Sequence, residues 1–211
     1  MGFFGGKKSG GAEQTAEGRI ARHSSGWSQM GKYLKARESL RILDFGPTSA
    51  GNINYVTELG HSIYMANLID EATRETLQAE LADETRSEAA ISRFLLENLD
   101  FSGRQFDVVL LWDTADYLPE SLLQPVIHRL AQVLVQDGQL LAFFHAKTTS
   151  DETVFSRYHL THSEAIDIQK IGGHALLHTY NNRQVENLFS DFGGYKFFLA
   201  KDTLREVIVT R

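Results

Sequence analysis

The sequence predicts an α/β fold built on a mostly parallel sheet, and three stretches predict it. The first is Ser39 to Asp70, where a short apolar run, turn chemistry, a helical stretch and a second apolar run follow one another. Strand, tight loop, helix, strand is one βαβ unit with parallel strands and a right-handed crossover. The second is Val108 to Trp112, a continuous apolar run expected of a central strand buried on both faces. The third is the end of the chain, where Tyr195 to Ala200 and Glu206 to Thr210 read as two strands joined by a short turn.

The chain has 211 residues, enough for one α/β domain with a proper core. Its formal net charge is −6 and its longest basic run is Lys7-Lys8, so no clustered cations offer a nucleic-acid groove. It has no cysteine, which excludes disulfide and thiolate chemistry and favours a reducing compartment. No apolar run approaches the roughly 18 residues of a membrane span, and the N-terminus lacks a signal-peptide core. A soluble cytoplasmic protein is expected.

Residues 1 to 19 hold six glycines and little to bury, and read as a flexible tail. Phe3-Phe4 beside Lys7-Lys8 is its one candidate docking motif for a partner. Residues 20 to 211 form the domain. Ile20 to Arg37 reads as a leading helical region, with Trp27, Met30 and Leu34 on one stripe. Leu40 to Phe45 is the first strand and Gly46-Pro47-Thr48-Ser49 the turn. Ala50 to Leu59 is a helix with Ile53, Val56 and Leu59 on one face, stopped by Gly60. Ile63 to Ala66 is the second strand, and Glu71 to Ala82 a polar helix with Leu77 and Leu81 facing in. In Arg86 to Leu99 the apolar residues Ile91, Phe94, Leu95 and Leu99 have helical spacing. Glu120 to Gln136 is an amphipathic helix, and Asp137-Gly138 leads into a strand over Gln139 to His145. Residues 147 to 180 form a lid-like insertion with four histidines and a hairpin over Ile166 to Tyr180. Asn181 is the expected N-cap of a helix over Asn182 to Phe192.

Leu43-Asp44-Phe45-Gly46 resembles the first motif of class I S-adenosylmethionine-dependent methyltransferases, acid-x-Gly-x-Gly-x-Gly. Phe106-Asp107, Asp113 and Tyr117-Leu118-Pro119 resemble the family's fourth motif. The element order from Trp27 to Arg211 resembles the family as well, down to the terminal antiparallel hairpin. The resemblance implies a Rossmann-like fold with a seven-stranded sheet, S-adenosylmethionine as cofactor, and methyl transfer to an unknown small-molecule or protein acceptor. It places Asp44, Phe45, Gly46, Pro47, Asn67, Leu68 and Asp113 around the cofactor. Of the motif's three glycines only Gly46 is in place; Thr48 and Ala50 stand where the others would be. Asn67 replaces the ribose-binding acid, and the adenine-contacting acid falls on Leu95.

Methyl transfer from a sulfonium is mainly a matter of holding donor and acceptor together, and a base is needed only where the acceptor loses a proton. Asp113 and His145, at the carboxyl ends of two strands, are the candidate catalytic groups. The pairs His159/His162 and His174/His178 lack a carboxylate or cysteine framework, and no metal site is expected. Because every departure from the motifs falls on a cofactor contact, a second expectation stands beside the first: a catalytically inactive relative that binds a partner or another ligand. A dinucleotide oxidoreductase would need Gly-x-Gly-x-x-Gly, which this loop lacks.

Overall fold

The computed structural model describes residues 18–146, 154–198 and 202–211. The expected tail and its Phe3-Phe4 motif lie outside them, apart from Gly18 and Arg19.

The chain opens with a strand, β1 (Arg19–His23), before the expected helix α1 (Ser25–Lys35). The helical reading of Ile20 onward is thereby corrected: Ser24, an N-cap whose hydroxyl accepts from Trp27 N–H, starts the helix five residues late. Then come β2 (Arg41–Asp44), α2 (Ala50–Glu58) and β3 (Ser62–Met65), the expected βαβ unit with its two strands parallel. The polar helix is two short ones, α3 (Leu68–Ala72) and α4 (Glu75–Leu81). Helix α5 (Ser87–Leu99) follows, then β4 (Phe106–Trp112), a 3-10 turn (Thr114–Tyr117) and α6 (Glu120–Val133). Strand β5 (Leu134–His145) takes over the last turn expected of α6 and absorbs the surplus in a register shift against β4. Strands β6 (Ser156–His159) and β7 (Ala165–Lys170) form the insertion's hairpin, earlier than expected. Helix α7 (Asn182–Leu188) is capped by Asn181 in a reciprocal box with Gln184. Strands β8 (Gly194–Phe198) and β9 (Leu204–Thr210) close the fold.

The main sheet runs β3-β2-β4-β5-β9-β8. Pairs β3/β2, β2/β4 and β4/β5 are parallel, while β5/β9 and β9/β8 are antiparallel. The expected seven-stranded, mostly parallel sheet is therefore a mixed six-stranded one among the described residues. Between β3 and β4 the chain adds no strand to it: α5 stands there, as the helical spacing of Arg86 to Leu99 predicts, with Ala90, Phe94 and Leu99 buried. Core side chains cover both faces of the sheet. Leu43, Val109, Leu111 and Leu140 face α5, α6 and α7; Ile42, Val108, Leu110 and Leu141 face α1 and α2.

A second, smaller sheet, β1-β7-β6, is antiparallel throughout. Its strands come from opposite ends of the chain, with Ile20 opposite Ile168. It lies against the carboxyl ends of β2, β4 and β5, the edge where open α/β sheets hold ligands.

Candidate functional site

Asp44 ends β2 fully buried, and its carboxylate is engaged inside the protein. Oδ1 accepts from the Trp112 indole N–H at 2.6 Å and the Gly46 N–H at 3.1 Å; Oδ2 accepts from Asn52 at 2.8 Å. Burial pushes the Asp44 carboxyl above its ordinary range, against these three bonds.

Trp112 ends β4 with φ at 51°, in the left-handed region that bulky residues rarely occupy. That kink carries the indole over the loop after β2. A Cβ added at Gly46 would meet Trp112 Cδ1 at 3.1 Å and Nε1 at 3.2 Å. A side chain there would push the indole by a few tenths of an ångström. Tyr158 of β6 stacks on Trp112, ring centroids 5.0 Å apart and planes 10° from parallel. Its hydroxyl donates to Asp113 Oδ2 at 2.8 Å.

The rest of β6 is tied down beside it. Asn52, in the first turn of α2, donates to Tyr158 O at 3.1 Å and accepts from Leu160 N–H at 2.8 Å. Ser49, the N-cap of α2, meets His159 Nδ1 at 2.8 Å. The N-terminus of α2, which resemblance would turn toward a ligand, is turned toward β6.

One strand over, Asn67 caps α3: its Oδ1 accepts from Ile69 N–H at 3.3 Å and its Nδ2 donates to Asp70 at 2.8 Å. Asp70 in turn meets His174 Nε2 at 2.9 Å. Phe155 packs on Tyr117 at 5.0 Å and on His174 at 4.8 Å, beside the buried Ile69.

The expected cofactor residues therefore divide. Asp44, Gly46 and Asp113 meet around Trp112 and Tyr158. Phe45 and Leu68 are core residues, Pro47 is half-buried in the turn, and Asn67 stands at the next strand's end. S-adenosylmethionine would need open space along Gly46 and beyond Asn67. The indole of Trp112 fills the first, and Phe155 and His174 pack beside the second. In this arrangement the residues present do not fit it.

The two candidate catalytic groups belong to one buried cluster. Asp116 Oδ2 accepts from both the His145 backbone N–H and its ring Nδ1, each at 2.7 Å. Burial pushes Asp113 up to about 6 and Asp116 up to about 7, in both cases against the pull of His145. Asp116 Oδ1, the Tyr117 hydroxyl and His178 Nε2 are buried without a hydrogen-bond partner. The four insertion histidines are dispersed: His159 on Ser49, His162 3.4 Å from Glu58, His174 on Asp70, and His178 behind Asp116.

Trp112, Asn52, Tyr158 and Asp116 had no site role in the sequence reading. Trp112 and Asn52 carried a faint signal, an indole and an amide close in sequence to strand-end turns. Tyr158 carried none, since Asp113 and Trp112, which it bonds and stacks on, lie 45 and 46 residues before it.

No family model matches the chain, and no curated protein sequence does. Solved structures match its fold. An S-adenosylmethionine-dependent methyltransferase from Methanosarcina mazei is 14% identical, with 87% of this chain and 96% of that one covered and a TM-score of 0.53. A protein from Pyrococcus horikoshii is 12% identical, with 88% of each chain covered and a TM-score of 0.52. An O-methyltransferase family protein from Burkholderia thailandensis is 15% identical over 87% of this chain, which spans only 55% of that one; the TM-score is 0.47. At such identities the likeness is one of architecture, and the architecture is that of the S-adenosylmethionine-dependent methyltransferases.

Proposed function

We propose that this chain is a methyltransferase-fold binding module whose cofactor crevice is given over to internal packing. The observation that carries the reading is the Asp44–Trp112–Tyr158 assembly. The Asp44 carboxylate accepts from Trp112, Gly46 and Asn52, the indole of Trp112 lies against Gly46, and the Tyr158 ring stacks on that indole. The departures at Thr48, Ala50, Asn67 and Leu95 agree with it, because a crevice that holds no nucleoside needs none of those contacts.

A second reading, S-adenosylmethionine-dependent methyl transfer to an unknown acceptor, is favoured by the shared fold. Under it, β6 must swing away and take Tyr158 off Trp112 before the cofactor can enter. Asp113 and His145 would then face the acceptor.

Calorimetric titration of the full chain with S-adenosylmethionine and with its demethylated product separates the two. The first reading expects no binding of either at millimolar ligand. Micromolar binding of both overturns it in favour of methyl transfer.

A further inference from the structure

The β6–β7 hairpin is fastened to the first turn of α2 through residues 158–160. Asn52 holds the backbone on either side of His159, donating to Tyr158 O and accepting from Leu160 N–H. The His159 ring sits between these two bonds, 4% exposed. Its Nδ1 meets Ser49 Oγ at 2.8 Å and its Nε2 meets Gln169 Oε1 at 3.2 Å.

The neighbours fix where each proton lies. Arg157 Nη1 donates to Gln169 Oε1 at 3.1 Å, and a guanidinium only donates, so the Gln169 amide presents its oxygen there. An amide oxygen only accepts, so His159 Nε2 carries the hydrogen between them. In the neutral ring Nδ1 is then bare and accepts the Ser49 hydroxyl hydrogen. The Ser49 oxygen accepts in turn from Asn52 N–H at 3.2 Å. A second ring proton has no place in this chain. It would go on Nδ1 and meet the hydroxyl hydrogen, and Ser49 would have to turn away and give up its acceptor. The ring also faces the positive end of a nine-residue helix whose first turn carries no acid. Of the charged groups facing the ring, Arg157 and Arg19 oppose its charging, and Asp167, opposite it on β7, favours it. Asp44, from the main sheet, is bonded to Asn52 and not to the ring.

We propose that His159 is a pH-sensitive latch: the neutral ring fastens the hairpin to α2, and a proton taken from solvent at Nδ1 loosens the hairpin and lets Tyr158 leave Trp112. Burial is the largest cause holding the ring below its ordinary value of 6.5. The latch is therefore at full strength above that value and weakens as pH falls below it. It rests only on β6 lying over Trp112, and the cofactor titration above reads the question of methyl transfer separately.

Two measurements on the full chain test it. Long-range ¹H–¹⁵N NMR of the imidazole reads the proton positions: near pH ~7.5 the ring is expected to be neutral with its hydrogen on Nε2. Hydrogen exchange of the Leu160 amide, corrected for its intrinsic rate, reads the opening. Its protection should fall about tenfold between about pH 7.5 and about pH 5, with the same midpoint as the titration of the ring's own signals. His159→Gln, which keeps a polar group beside Ser49 and Gln169 but does not titrate, should lose that fall. Asp113 and Asp116 are pushed up to about 6 and about 7, but both proteins contain them, so the difference between the two belongs to His159. A hydrogen on Nδ1, a ring charged near pH ~7.5, an exchange midpoint away from the ring's titration, or the same fall in His159→Gln as in wild type would each overturn the proposal.

Discussion

Replacing Asp44 with alanine tests whether the crevice is structural. The substitution strands three donors. The Trp112 indole N–H has only Asp44, and its loss costs about 2 kcal/mol. The Asn52 amide keeps Tyr158 O for its other hydrogen, so about 1 kcal/mol goes there, and about 1 kcal/mol at the Gly46 N–H. Removing a buried carboxyl held above its ordinary pKa returns part of this. The net is about 3 kcal/mol of destabilisation, which in a chain of this size lowers the melting temperature by about 6–12 °C. Urea unfolding followed by tryptophan fluorescence measures it. A double-mutant cycle with Trp112→Phe, which keeps a ring but removes the indole N–H, should give a coupling of about 1–2 kcal/mol. A loss below about 1 kcal/mol for Asp44→Ala, with no coupling to Trp112, refutes the argument: the carboxylate would then be available to a ligand.

Three further predictions follow from the same geometry. Asp113 is pushed up to about 6 in the folded protein from an ordinary value of 3.8, so the native state keeps a proton that the unfolded chain has released. Its contribution is full below about pH 4 and is lost as pH rises through about 6, a fall of about 3 kcal/mol at about 1.4 kcal/mol per pH unit. Asp113→Asn should flatten that slope in urea titrations across the window, and an unchanged slope would sink the assignment. Gly46→Ala should destabilise by about 1–3 kcal/mol, because the new methyl meets the indole at 3.1 Å; a melting temperature equal to wild type would mean that Trp112 does not occupy that space. Asn181→Ala should cost about 1 kcal/mol by removing one half of the capping box, read as a lower melting temperature.

Much of the frame was legible because its signals are local. Leu40 to Phe45, the Gly46-Pro47 turn and the stop at Gly60 mark β2, α2 and β3 within about twenty residues, and Asn181 with Gln184 marks a helix start within four. Helix α5 was also readable from spacing. Where the reading failed, adjacent structure was competing for the same residues. Ile20 to His23 has no strand signature of its own and becomes one only because β7, some 145 residues later, offers an edge. The candidate site shows the same division.

The sequence by itself determined the order of elements from β2 to β5, the carboxyl edge at which Asp44, Asp113 and His145 gather, and the loss of two motif glycines. Strand periodicity, turn residues and capping are short-range physics, so they are written within a few residues. What fills that edge was decided only in three dimensions. Tyr158 reaches Trp112 and Asp113 because the hairpin after β5 folds back over the sheet, and β1 comes from the far end of the chain to pair with it. A stacked pair of rings depends on the backbone path and the side-chain direction of distant segments, and neither is encoded in the spacing around either residue.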